Sequence, residues 1–231
     1  MNLRLSSWSK LALALAVASA SVLVSDPAQA SNMGFKMNKV IEPIGTPSPK
    51  GENWVALPYR NPYANAQDLC AALGLSNVAP KGRVRLVNAQ TGAASVHNCG
   101  DLGAFALPKP FTNAGLIITN STAAGGILVG SHASNPPSSL TLYPTATPSP
   151  KGQNFFSVPY HTTAVNAQDL CVDLALPAGG RVQRRNAATG ATSNHNCGDL
   201  GPFSLILGEA ALVTFPGAAP LVVAAGHPAH F

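Results

Sequence analysis

The chain has 231 residues, of which 46% are apolar and only 10% charged, with a formal net charge of +5. Disorder requires low hydrophobicity, so the 21 glycines and 20 prolines point to a loop-rich β protein instead. Charges this sparse, 14 basic and 9 acidic, do not form the dense basic stripe of a nucleic-acid binder.

Residues 1–30 read as a signal peptide. Arg4 and Lys10 give a positive start, Leu11 to Val24 an apolar run, and Ala28-Gln29-Ala30 a small-residue cleavage site. The run is shorter than the ~20 residues a spanning helix needs, and no later segment reaches that length unbroken. The expected location is therefore extracellular, or the bacterial periplasm and cell surface, with no transmembrane span after the signal is removed.

The rest says most of itself twice. Pro43–Cys70 aligns without a gap on Pro144–Cys171, and Arg83–Gly103 aligns on Arg181–Gly201. The shared words are TPSPKG, PY, NAQDLC, NA-TG and HNCGDLG. Such self-similarity marks one structural unit, duplicated. It predicts a first β-repeat domain at 31–132, a Ser/Pro/Thr-rich linker at 133–147, and a second β-repeat domain at 148–231.

In chain order, Ser31–Ile41 alternates apolar and polar at Met33, Phe35 and Met37, which is strand-like, and its part before Val40 reads as lying outside the repeat. We expect it to add to a sheet edge, either within its own first domain or by self-association with a neighbouring chain. TPSPKG is a turn element. Asn53–Tyr59 and Asn154–Tyr160 are half-buried strands, with Val55, Leu57 and Tyr59 on one face and Trp54 on the other. Asn65-Ala66-Gln67-Asp68 and its copy, Asn166 to Asp169, carry the signature of a capped helix start, with Gly74 closing the first helix. Arg83–Val87 and Ala93–His97, joined by Asn88–Gly92, form a hairpin, as do Arg181–Arg185 and Ala191–His195. Three short apolar strands close each unit: Ala104–Leu107, Gly115–Thr119 and Ile127–Gly130, then Phe203–Leu207, Ala211–Phe215 and Leu221–Ala225. The expected fold is mainly β, two tandem small sandwich- or barrel-like domains, each with one short helix and one disulfide.

Four cysteines fall two per repeat. Symmetric placement and an export signal argue for disulfides, and duplication selects Cys70–Cys99 and Cys171–Cys197. The short C-x2-4-C pairs of zinc sites are missing.

Asn53–Tyr59, the capped helix, the N-A-x-T-G hairpin and the run F-x-L-x-x-G-E-A-x-x-V at Phe203–Val213 are together similar to repeats in exported bacterial surface proteins. In those, an NWxSLPY strand, a DPxTG hairpin and a GEGYxV strand recur. The resemblance covers both repeats but neither linker nor tail, and Thr112–Leu116 lacks the Gly-Glu pair. It implies a β repeat without assigned catalytic residues.

Candidate chemistry centres on His97 and His195. With Asp101 and Asp199 they would suit a metal or proton-transfer site; alternatively, the His is paired across its hairpin and the following residues form a turn held by the disulfide. Asp68 and Asp169, the other repeated carboxylates, have a capping explanation. Trp54 and Phe155 would stack on sugar rings if exposed, or else close a second small cluster under a loop, and Arg181 and Arg185 would make one strand face basic. His227 and His230, in the tail, are either adventitious metal ligands or part of a solvated end, with His132 as a possible counterpart of His227, and Asn120-Ser121-Thr122 is a glycosylation sequon. Phe231 ends a tail too broken by Gly226 and Pro228 for a barrel strand. No G-x-S-x-G and no phosphate loop occurs.

The expectation is a secreted, non-enzymatic structural or surface protein with no cofactor, no metal and no catalytic residue, a component of matrix, envelope or filament. Its partners would be cell-surface or polysaccharide contacts, not nucleic acid. The alternative is an extracellular carbohydrate- or ligand-binding module using Trp54 or the Arg181–Arg185 strand. A hydrolase or metalloenzyme using His97 or His195 is the third reading.

Overall fold

Each half is built from a four-stranded antiparallel sheet, a two-stranded ribbon and one short helix. The computed structural model describes residues 34–57, 61–107, 115–131, 139–147, 149–158 and 163–224. In the first half, strands β2 (Asn53–Val55), β5 (Leu116–Thr119), β3 (Arg83–Val87) and β4 (Ala94–Asn98) follow one another across the sheet. The ribbon pairs β1 (Gly34–Ile41) with β6 (Ala124–Ser131). In the second half the sheet order is β8 (Asn154–Ser157), β11 (Ala210–Thr214), β9 (Arg181–Arg185) and β10 (Thr192–Asn196). Its ribbon pairs β7 (Ser139–Leu142) with β12 (Leu221–Ala224). The protein is mainly β, in two similar halves.

Helices α1 (Ala66–Ala72) and α2 (Ala167–Asp173) begin as their sequences dictate. Asn65 and Asn166 accept from the third backbone N–H of their helices, while Asp68 and Asp169 reach back to the cap N–H. Both reciprocal capping boxes satisfy donors that a helix start leaves open. Disulfides Cys70–Cys99 and Cys171–Cys197, inside their own repeats as duplication required, tie each helix to the end of a hairpin.

Two cores result. The first gathers Ile41, Val55, Leu69, Leu73, Val84, Leu116, Ile118 and Leu128 between sheet, ribbon and α1. The second gathers Leu140, Leu142, Phe156, Leu170, Leu174, Val182, Val213 and Val223 in the same way.

Four findings differ from the sequence-based expectation. Residues 139–142, expected in the linker, form a strand with Leu140 and Leu142 buried. The Ser/Pro/Thr composition had masked a two-residue apolar alternation, and alternation decides burial. Of the expected strands, Ala104–Leu107 and Phe203–Leu207 contribute only single bridges, Asn65↔Ala106 and Asn166↔Ser204. The N-terminal strand pairs with β6 of its own half, one of the two arrangements expected, but β7 against β12 shows that this ribbon, read as lying outside the repeat, belongs to it.

The fourth is that the halves share a third core. Trp54, Val87 and Ile117 of one sheet meet Phe155, Ala210 and Leu212 of the other, on the faces turned away from the two helices. Trp54 and Phe155 meet edge to face at 5.2 Å. The repeated turn words explain each other here. Gly51 of the first TPSPKG donates its N–H to Ala187 O in the second hairpin loop at 2.8 Å, and Gly152 of the second donates to Ala89 O in the first at 2.8 Å. Each glycine has φ near +80° (82° and 76°), and a Cβ would strike the carbonyl of Pro43 or Pro144.

Asn53 and Asn154 fasten ribbon to sheet. The Asn154 amide donates to Tyr143 O, Gly152 O and Val213 O at 2.8, 2.9 and 3.1 Å and accepts from Tyr143 N at 2.8 Å. Asn53 makes the matching set with Glu42, Gly51 and Ile118. Both are buried, so Asn154→Ala leaves several backbone groups unsatisfied and should cost about 3 kcal/mol, measured by urea denaturation.

Candidate functional site

The longest word repeated without a change, His-Asn-Cys-Gly-Asp-Leu-Gly, ends each hairpin. His97 lies opposite Val84 and His195 opposite Val182, which turns both rings inward. Each histidine is 3% exposed. Nε2 of His97 lies 2.8 Å from Gln67 Oε1, and Nε2 of His195 lies 2.9 Å from Gln168 Oε1. The same oxygens accept the N–H of Gly100 at 2.7 Å and of Gly198 at 2.8 Å. A backbone N–H only donates, so the atom it meets is the amide oxygen, and that oxygen only accepts. Each histidine therefore carries its proton on Nε2 and donates it.

The rest of the word builds the turn. Cys99 N donates to Gly82 O and Asp101 N to Asn98 O; Cys197 and Asp199 repeat both bonds with Gly180 and Asn196. Gly100 and Gly198 stand at φ 86° and 96°, a region that disfavours side chains. Asn98 donates from Nδ2 to Asp101 at 3.0 Å, and Asn196 to Asp199 at 2.8 Å. Arg83 and Arg181 donate to those asparagines from outside. Asp101 also pairs with Lys81, and the hydrogen bonds from Lys81 and Asn98 hold its carboxyl below the usual range.

Histidine and aspartate of each motif thus have separate partners, the histidine facing helix and glutamine, the aspartate facing solvent. Among the described residues no group of three His, Cys, Asp or Glu is placed to hold a metal ion. What the arrangement does is hold a turn: helix glutamine, hairpin histidine and disulfide fix the same few residues. Gln168→Ala should leave His195 and Gly198 without their shared acceptor and cost about 2 kcal/mol in thermal or urea unfolding. The glutamine escaped sequence reading because NAQDLC was explained by its cap alone, although Gln67 and Gln168 were visible as repeated residues.

The other candidates are placed as follows. Asp68 and Asp169 accept at their helix caps. Trp54 and Phe155 are buried at 5% and 3% exposure in the core between the halves, so neither offers a ring to a sugar. Arg181 stays outside, but Arg185 turns inward. Its guanidinium lies 4.9 Å from the Trp54 ring, with Nη1 3.3 Å from Glu52 Oε2. The expected basic face therefore reduces to Arg181, because Arg185 packs on an aromatic of the other half. Asn120 of the sequon is 1% exposed, accepting from Ser76 N and donating to Thr122 O, which withholds it from glycosylation in the folded protein. His132, His227, His230 and Phe231 lie outside the described residues. Leu102 and Leu200, in the last part of the repeated word, are fully exposed in both halves.

A charged group sits at the contact between the halves. Glu209 bridges Val55 across the halves, and Arg184 Nε lies 3.9 Å from its Oε2. Burial pushes the Glu209 carboxyl above its ordinary 4.5, against the pull of Lys39 and Arg184. The same burial pushes Lys39 below 10.5, against the pull of Glu209. A raised carboxyl contributes stability that is complete below its unfolded value and lost as pH rises through the folded one. A lowered amine contributes stability that is complete above its unfolded value and lost as pH falls through the folded one. The stability of the native protein relative to Glu209→Gln should therefore fall as pH rises above 4.5, read from urea midpoints between about pH 4 and 7 at constant ionic strength.

Among the described residues no helix is long and apolar enough to cross a membrane. Two disulfides fit an oxidising, non-cytoplasmic compartment. Comparison with family models, with curated proteins and with solved structures found no match to the chain.

Proposed function

We propose that the protein is exported and serves as a non-enzymatic structural component of the cell surface, envelope or extracellular matrix. One observation carries the reading: the repeated chemistry-bearing residues are engaged in holding backbone. Asn53 and Asn154 clamp ribbons, Asp68 and Asp169 cap helices, and Gln67 with His97 and Gln168 with His195 fix turns. A catalytic group needs reach to a substrate, and a histidine that is 3% exposed and donating to a helix glutamine lacks it. The disulfides and doubled unit suit a durable extracellular part, in keeping with the likeness to repeats of bacterial surface proteins. Removal of Trp54 from the surface weakens the sugar-binding alternative.

Expression from an export-competent bacterium with the native leader tests this. The expected product begins at Ser31, holds both disulfides, and sediments with envelope or extracellular assemblies. Reduced, full-length protein in the cytoplasm would overturn the reading.

A further inference from the structure

The surface by which the halves meet is symmetric in shape but not in charge. Trp54 matches Phe155 and Ile117 matches Leu212; Trp54 stands opposite Ile117 in one sheet and Phe155 opposite Leu212 in the other. Val87 ends β3 where Arg185 ends β9, and Glu52 precedes β2 where Gln153 precedes β8. A cation and a carboxylate that break the symmetry meet each other. Arg185 lies over Trp54 at 4.9 Å and 3.3 Å from Glu52.

The consequence is selectivity. Two second halves brought together would bury two Arg185 guanidiniums against Phe155 and Gln153, neither of them meeting Glu52. Two first halves would set Glu52 against Val87, without Arg185. A charge taken from water without a partner is strongly disfavoured. Only unlike halves satisfy this pair. The reciprocal clasps, Gly51 to Ala187 and Gly152 to Ala89, are likewise completed by one half of each kind.

We propose that this surface is a keyed protein–protein interface whose second natural occupant is the unlike half of another copy of the chain, so that copies exchange halves first-to-second. Among the described residues the chain passes from the first half to the second once, between β6 and β7, so an exchanged pair needs no other connection re-routed. Two chains exchanging reciprocally close a dimer; chains exchanging head to tail form an open filament. The idea rests on the structural role proposed above and supplies its means of assembly.

Two charge-reversed full-length chains test it. Glu52→Arg sets a second guanidinium against Arg185, and Arg185→Glu sets a second carboxylate against Glu52. Each variant refolded alone should give monomer with a lowered melting temperature. Unfolded with disulfides intact and refolded together at high concentration, they should give a dimer of mixed mass by native mass spectrometry. In that dimer both pairs are opposite in charge, so its melting temperature should return towards the native value. The double variant E52R/R185E, which restores opposition within one chain, should melt near the native protein. Should a reversed variant fail to fold, E52Q mixed with R185V, the residues the opposite halves carry, makes the same comparison. Mixed dimer no more abundant than dimer from either variant alone would overturn the proposal, as would a double variant that recovers nothing. Envelope-associated assemblies of the native protein without mixed dimers would sink half exchange and leave the structural role standing. Mixed dimers from a protein retained in the cytoplasm would do the reverse.

Discussion

Cys99→Ser is expected to lower the stability of the whole protein by about 3–4 kcal/mol, in one transition. The bridge closes a loop with a sequence separation of 29, for which the chain-entropy estimate is in that range. Cys70 and Cys99 are fully buried, so a serine hydroxyl adds a desolvation cost in the same direction. With roughly 200 residues unfolding together, the loss corresponds to a fall in melting temperature of about 10 °C. The sequence-based picture, two domains on a linker, would confine this effect to the first repeat and give two calorimetric transitions. A third core of six buried residues, two mutual loop clasps and the Glu52–Arg185 pair couple the halves, so they should melt as one. Two resolved transitions, with the second unmoved by Cys99→Ser, would show that the coupling is weaker than this.

The internal structure of each unit was legible because it is local. The capping boxes follow from Asn and Asp three residues apart, the hairpins from Asn-x-x-Thr-Gly, and the disulfides from placement in a duplicated word. In the loops themselves Asn88 and Asn186 accept from the backbone two or three residues on, and the glycines at 92 and 190 take φ of 74° and 77°. Contacts between the units were not legible. Trp54 and Phe155 alternate correctly onto the face away from their own core, but periodicity says only that a face differs, not whether water or another sheet covers it. The same limit applied to Arg185, whose charge suggested solvent while its neighbours supplied a ring and a carboxylate.

The turn words carried a signal that reading one repeat at a time could not use. TPSPKG and NA-TG are kept in both copies because each is the binding partner of the other across the pseudo-symmetric contact. A clasp of this kind places two requirements on the sequence, one on each loop, and both are met twice. The histidines illustrate the converse. Metal or proton-transfer chemistry and a buried donor require the same residue type, and spacing alone could not separate them. Only the position of Gln67 and Gln168 on the helices, facing the hairpins, does so.

Trp54→Ala should be the most damaging single substitution at the contact between the halves, costing about 3–5 kcal/mol. The ring fills the centre of the shared core, meets Phe155 edge to face and supports the Arg185 guanidinium. Its removal leaves a cavity, removes an aromatic pair of about 1 kcal/mol and withdraws the cation–π partner of a partly buried charge. Trp54→Phe keeps most of the apolar contact and eliminates an indole N–H that is buried without an acceptor, so it should cost much less, about 1–2 kcal/mol. The chain has two tryptophans, Trp8 within the expected signal peptide and Trp54, so in the processed protein the emission of Trp54 reports this core directly. Urea unfolding followed by that emission and by far-ultraviolet circular dichroism should give coincident transitions in the native protein. If Trp54 served instead as a sugar platform, Trp54→Ala would leave stability unchanged and abolish binding on a glycan array; loss of stability with no glycan binding by the native protein places its role inside the fold.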